Sequence, residues 1–162
     1  MSKKRAVWAL NGEEAKKPFR YTGCGLDDVW LISGYDVEEI DGEKAITIRN
    51  LDGLHKVIGQ ALVLRKKILS GSEIRFLRRQ MDLTQSELSR LVGCDAQQIA
   101  RYEKGENKMP GPTDRLIRMI YGEQVQGTVS VRDILRALDE LDSRTSERHT
   151  FRETPDGWKE AA

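Results

Sequence analysis

Three observations predict an α+β chain, with a small N-terminal β-hairpin/helix module followed by an all-α five-helix domain. Residues 29–50 alternate apolar and polar side chains on either side of a DGE turn at Asp41 to Glu43, the pattern of paired strands. Residues 54–67 carry a broad apolar stripe at helical spacing. From Ser70 onward, five helix-start signals follow one another with only short connections between them.

Residues 1–20 hold KKR and EEAKK among scattered apolar side chains, which predicts a flexible arm with Trp8 as its candidate for packing. VWLISGYDVEEI, the turn and KAITIRN then read as a hairpin or three short strands, with Ala45, Thr47 and Arg49 alternating against Ile46 and Ile48. Leu54, Val57, Ile58, Ala61, Leu62 and Leu64 share the stripe of the helix that follows. Together these segments form an N-terminal α+β module over 21–69.

The helical domain spans 70–142. Ser70 with Glu73 makes a capping box ahead of IRFLRRQM, and Thr84 with Glu87 makes a second ahead of LSRLV. Asp95 with Gln98 approximates one before IARYE, Gly111-Pro112 supplies Pro at a first helical position before RLIRMIY, and Ser130 with Asp133 caps VRDILRALDEL. Gly93 and Gly105 stop the second and third helices. The expected core is Ile74, Leu77, Leu83, Leu88, Leu91, Val92, Ile99, Tyr102, Leu116, Ile117 and Ile120. The fifth helix presents Val131, Ile134, Leu135, Leu138 and Leu141, wide enough to cover the domain and still offer a partner surface. The polar tail, 143–162, is expected to be loose.

The net charge of +1 argues against coating DNA by bulk charge, but the charge is unevenly spread: −2 over 1–55, +6 over 56–121 and −3 over 122–162. Cys24 and Cys94 stand far apart with no CxxC or HxxxH spacing near His55 or His149, so no metal or other cofactor is expected. No apolar run reaches membrane-spanning length and no export leader is visible, which predicts a reduced, cytoplasmic protein. Cys24 reads as a half-buried thiol at a strand entrance, and Cys94 as a small turn residue. Tyr21, Trp30 and Tyr35 read as hairpin core rather than as a ligand pocket. Asp27-Asp28 reads as a solvated turn, because Asp27, Asp28, His55 and Cys24 provide no nucleophile-base spacing, and no enzyme is predicted. Arg65, Lys66 and Lys67 read equally well as extra phosphate contacts or as a solvated helix end.

The helix over 84–92, the turn at Gly93 and the helix over 95–104 form a helix-turn-helix, whose second helix can enter a major groove. Gln97 and Gln98 lie at the start of that helix, where glutamine amides can bond N6 and N7 of adenine. Arg101 shares the face of Gln97 and offers a fork to guanine or phosphate, while Ala96 can meet a thymine methyl. Gln85 begins the preceding helix and suits a phosphate oxygen, and Lys104, Asn107 and Lys108 follow the second helix, where they can grip the backbone.

LTQSELSRLVGCDAQQIARYEKG resembles the phage-repressor and Cro class of regulators, the XRE family, through L-T-Q-x-E-L-x-x-x-x-G and I-x-x-x-E-x-G. The resemblance implies a lambda-repressor-like helix-turn-helix domain, with Gln85 at a phosphate or edge base and Ala96, Gln97, Gln98 and Arg101 as the readout surface. It also implies that Glu103 pairs with Arg78 for stability and not for recognition. SGSEIRFLRRQMDLTQSELSRLVG and RLIRMIY are similar to the C-terminal domain of MqsA/YgiT-type antitoxin regulators, although this chain lacks their two zinc-binding CxxC pairs. The expectation is a sequence-specific double-stranded DNA-binding repressor, acting as a homodimer on a palindrome with half-sites about 34 Å apart. The alternative is an antitoxin that occludes a toxin through its N-terminal module and regulates its own operon.

Overall fold

The computed structural model describes residues 9–10, 13–14, 17–127, 130–141 and 148–161. Trp8 and residues 142–147 lie outside them. The described chain is mixed α+β, in the order β1 (Ala9–Leu10), β2 (Glu13–Glu14), β3 (Phe19–Arg20), β4 (Val29–Leu31), β5 (Tyr35–Ile40), β6 (Glu43–Ile48) and α1 (Leu51–Arg65). It continues through α2 (Gly71–Gln80), α3 (Gln85–Val92), α4 (Ala96–Lys104), α5 (Gly111–Tyr121) with a π-helical turn over Gly122–Gln126, α6 (Val131–Glu140), β7 (His149–Thr154) and β8 (Gly157–Ala161).

β5 and β6 pair antiparallel about Asp41-Gly42, whose positive φ angles of 52° and 81° close the two-residue turn. Asn50, itself left-handed, then caps α1 by accepting from the Gly53 N–H at 3.2 Å.

The tail expected to be loose forms two strands within residues 149–161. β7 runs parallel to β4, with Val29 opposite His149 and Leu31 opposite Phe151, and the four strands take the order β3-β4-β7-β8. Phe19 and Arg20, assigned to the arm, form the edge strand β3 against Leu31 and Trp30. The reason is burial: Phe151 is fully enclosed and Trp158 nearly so, while the Trp158 indole N–H donates to the Arg49 and Asn50 carbonyls, both at 3.1 Å. T-P-D-G, residues 154–157, is a turn sequence between two short alternating runs, so the local signal for β7 and β8 was present.

α1 joins the two halves, packing on β8, α2 and α6, and one core runs from Tyr21 and Leu31 through Leu54, Ile74 and Ile117 to Phe151. Gly59 makes room for the Tyr121 side chain, since a Cβ there would stand 1.9 Å from the Tyr121 hydroxyl oxygen. The end of α1 is held by Arg118, which is fully buried on α5. Its guanidinium donates to the Leu62, Val63 and Lys66 carbonyls at 3.1, 2.9 and 2.6 Å, and to Asp114 Oδ1 at 2.6 Å. These are the carbonyls a helix leaves without intrahelical partners at its C-terminus, so one side chain satisfies them and also ties α1 to α5.

Two residues assigned to the core are not in it. Leu91 is 53% exposed because α3 turns Leu88 and Ser89 inward. Leu116 is 36% exposed because the inward stripe of α5 is Asp114, Ile117, Arg118 and Tyr121, which leaves Leu116 on the far side. On α6, Ile134 and Leu138 are buried, whereas Val131 and Leu135 face outward.

Candidate nucleic-acid interface

The local sequence sets both helices of the pair. Thr84 Oγ1 accepts from the Glu87 N–H at 3.1 Å while Glu87 Oε2 accepts from the Thr84 N–H at 2.7 Å, which fixes the first turn of α3. Gly93 ends α3 at φ 77°, and Asp95 accepts from the Gln98 N–H at 2.8 Å to open α4. Gly105 ends α4 at φ 73°.

These caps set the rotational phase of α4. Ile99, Tyr102 and Glu103 point inward, while Gln97, Gln98, Arg101 and Lys104 are exposed and Ala96 is half-buried beside them. Among the described residues, the side chains of Gln97, Gln98 and Arg101 have no hydrogen-bond or ion-pair partner, so their polar groups are available to an external one. Asn107 and Lys108 are exposed in the loop after α4, and Lys104 approaches Glu106 at only 4.0 Å across solvent.

Beneath this face lies a polar cluster centred on Glu103, whose side chain is fully buried. Arg78 donates to it through both Nε at 2.5 Å and Nη2 at 3.1 Å, and its Nη1 donates to the Leu83 carbonyl at 2.8 Å. Arg75 Nε adds a contact at 3.4 Å. Burial by itself would raise the Glu103 pKa, but the hydrogen bonds from Arg78 and Gln85, the Arg78 charge and the Arg75 contact outweigh it and hold the carboxyl below its ordinary value.

Gln85 belongs to this cluster as well: its amide nitrogen donates to Glu103 Oε2 at 2.9 Å. One of its two N–H groups is therefore committed inward, and the residue fastens the start of α3 to α4. Sequence reasoning missed both this contact and that of Arg75, because hydrogen bonds spanning 18 and 28 residues leave no local signature.

The other singled-out residues lie elsewhere. Cys94, half-buried in the turn, has its pKa raised by burial and by Asp95, so its thiol stays protonated. Cys24 is likewise raised, by burial first, with Asp28 adding and local backbone hydrogen bonds opposing. Asp27 meets Arg20 at the surface, whereas Asp28 and the buried Glu73 share Lys66 at 3.6 and 3.1 Å. Arg65, though exposed, pairs with Glu160 at 2.7 Å, which leaves Lys67 as the member of that basic run without an ion pair among the described residues. Tyr21 and Tyr35 are buried, while Trp30 is partly buried beneath the Arg148 guanidinium. His55 bridges Tyr21 and Gln80 at 3.0 and 3.3 Å. Among the described residues no group of three or more His, Cys, Asp or Glu could hold a metal ion, and no helix is long and apolar enough to cross a membrane.

Residues 74–114, from α2 into the first turn of α5, match the model of the helix-turn-helix family, which supports a DNA-binding regulator. No curated protein and no solved structure matches the chain.

Proposed function

We propose that this chain is a sequence-specific double-stranded DNA-binding transcriptional repressor that acts as a homodimer on a palindromic operator. The observation that carries the reading is the division of α4: Ile99, Tyr102 and Glu103 anchor it inward, and Gln97, Gln98 and Arg101 stand outward with uncommitted polar groups. Glutamine amides and a guanidinium suit base edges in a major groove, Ala96 suits a thymine methyl, and Lys104, Asn107 and Lys108 suit the phosphates beside it. Gln85 then positions α3 through Glu103 and turns its remaining amide hydrogen to the backbone.

One recognition helix reads too few bases for useful specificity, and the exposed Val131 and Leu135 of α6 offer an apolar face for a second copy. Selection of bound duplexes from random oligonucleotides tests the reading directly: the recovered motif is a palindrome with half-sites about one helical turn apart. Arg101→Ala relaxes preference at one position per half-site by about 1–3 kcal/mol. Unchanged operator affinity and preference in both Gln97→Ala and Arg101→Ala would remove α4 as the readout helix.

A second reading, an antitoxin that also regulates its own operon, draws on the β5–β6 ribbon. The ribbon exposes Val37 and Ile46 on one face and Ile40 on the other, and its exposed Glu38, Glu39, Asp41 and Glu43 outweigh Lys44, a balance suited to a small basic protein. Co-purification of such a protein, lost on Val37→Asp, is the outcome that reading requires.

A further inference from the structure

A cleft of about 550 Å³ opens where the α1–α2 connection, the start of α2, the loop after α4 and the start of α5 meet. Its volume is that of a small-molecule site. Gly71 makes the junction possible, because a Cβ there would stand 2.5 Å from the Tyr102 and Glu103 carbonyl oxygens.

The lining has two characters. Ile74, Tyr102, Met109 and Leu138 line it with apolar surface, and Ile68 extends this to the rim, where it is 77% exposed, the most exposed of the large hydrophobic side chains described. Around that surface stand Lys67, Lys108 and Arg115, all exposed and none in an ion pair among the described residues. The acid in the lining, Asp114, is already committed to Arg118 and to the Leu69 N–H at 3.2 Å. The free charge of the cleft is therefore entirely positive.

We propose that this cleft is an effector site for a small amphipathic carboxylate, whose apolar body covers Ile68 and the surface below while its head group is held by Lys108 and Arg115. The loop that forms one wall also carries Asn107 and Lys108, the residues suited to grip DNA phosphates. A carboxylate held by Lys108 withdraws that cation from the backbone, so the ligand acts as an inducer that releases DNA. The release rests on the DNA-binding reading, whereas occupancy of the cleft does not.

The test is calorimetric titration of the full chain with decanoate, with 1-decanol as the uncharged control. Ile68→Asp and Arg115→Gln are the variants, chosen because both side chains are exposed and tolerate substitution without loss of fold, which circular dichroism checks. Decanoate binds saturably with a stoichiometry of one, decanol binds at least tenfold more weakly, and each variant loses affinity by about tenfold, as expected for one charge-assisted hydrogen bond or its apolar counterpart. Duplex affinity of the wild type falls several-fold in saturating decanoate. Absence of saturable binding, equal binding of decanol, or binding untouched by both variants overturns the site. Saturable decanoate binding with undiminished duplex affinity overturns the inducer role. A chain that binds decanoate but no duplex under any condition refutes the DNA-binding reading and leaves the site standing.

Discussion

The Arg118 guanidinium lies under the end of α1, donating at 2.6 Å to the Lys66 carbonyl while Asp114, one turn back on its own helix, balances its charge. A single buried cation thus closes one helix and locks it to another.

Arg118→Met keeps the bulk of the stem but leaves Asp114 buried without its cation and the α1 carbonyls without donors. The expected loss is about 3–5 kcal/mol of unfolding free energy, as for removal of one partner of a buried pair. Urea unfolding measures it, and a loss below about 1 kcal/mol contradicts the clamp.

Glu103 carries a pH signature. Its folded pKa lies below the ordinary carboxylate value, so its contribution to stability is complete above that ordinary value, about 4.3, and disappears as pH falls through the depressed folded value. Glu103→Gln loses about 3 kcal/mol at neutral pH by leaving Arg78 without its counter-charge, and the stability difference from wild type narrows on acidification. Denaturant midpoints at neutral and acidic pH test this, and a difference that stays constant with pH contradicts it.

Trp158→Ala empties the space above Gly34 and removes the donor to the Arg49 and Asn50 carbonyls. The cost is about 3–5 kcal/mol, the range for deleting a buried aromatic, read from the shift in thermal midpoint. A truncation before His149 has a larger effect, since it strips β4 of its parallel partner.

Lys104→Ala separates gripping from reading. It weakens binding to every duplex alike and reduces the slope of log affinity against log salt by about one. Fluorescence anisotropy with an operator and a scrambled duplex measures both quantities, and an operator-selective loss reassigns Lys104 to readout.

The outward face of α4 was readable in the chain because capping residues and helical periodicity are local. Asp95 fixes where the helix begins, and Ile99 and Tyr102 then determine that Gln97, Gln98 and Arg101 point away from the core. The Arg78–Glu103 pairing came from family resemblance, since neither residue announces its partner. Leu91 and Leu116 misled because a helix of this size buries only part of its apolar residues, and which part depends on the neighbours.

By itself the sequence determined the capped starts of α2, α3, α4 and α6, the β5–β6 turn and the chemistry offered by α4, through interactions reaching only a few residues along the backbone, whereas α1 runs over Leu51–Arg65 and not 54–67. Tertiary structure alone decided that the tail supplies β7 to β4, that Arg118 closes α1, and that Gln85 turns inward to Glu103. Those outcomes depend on which buried polar groups and apolar faces satisfy one another at long range, a choice made when the whole core closes and not by any one segment.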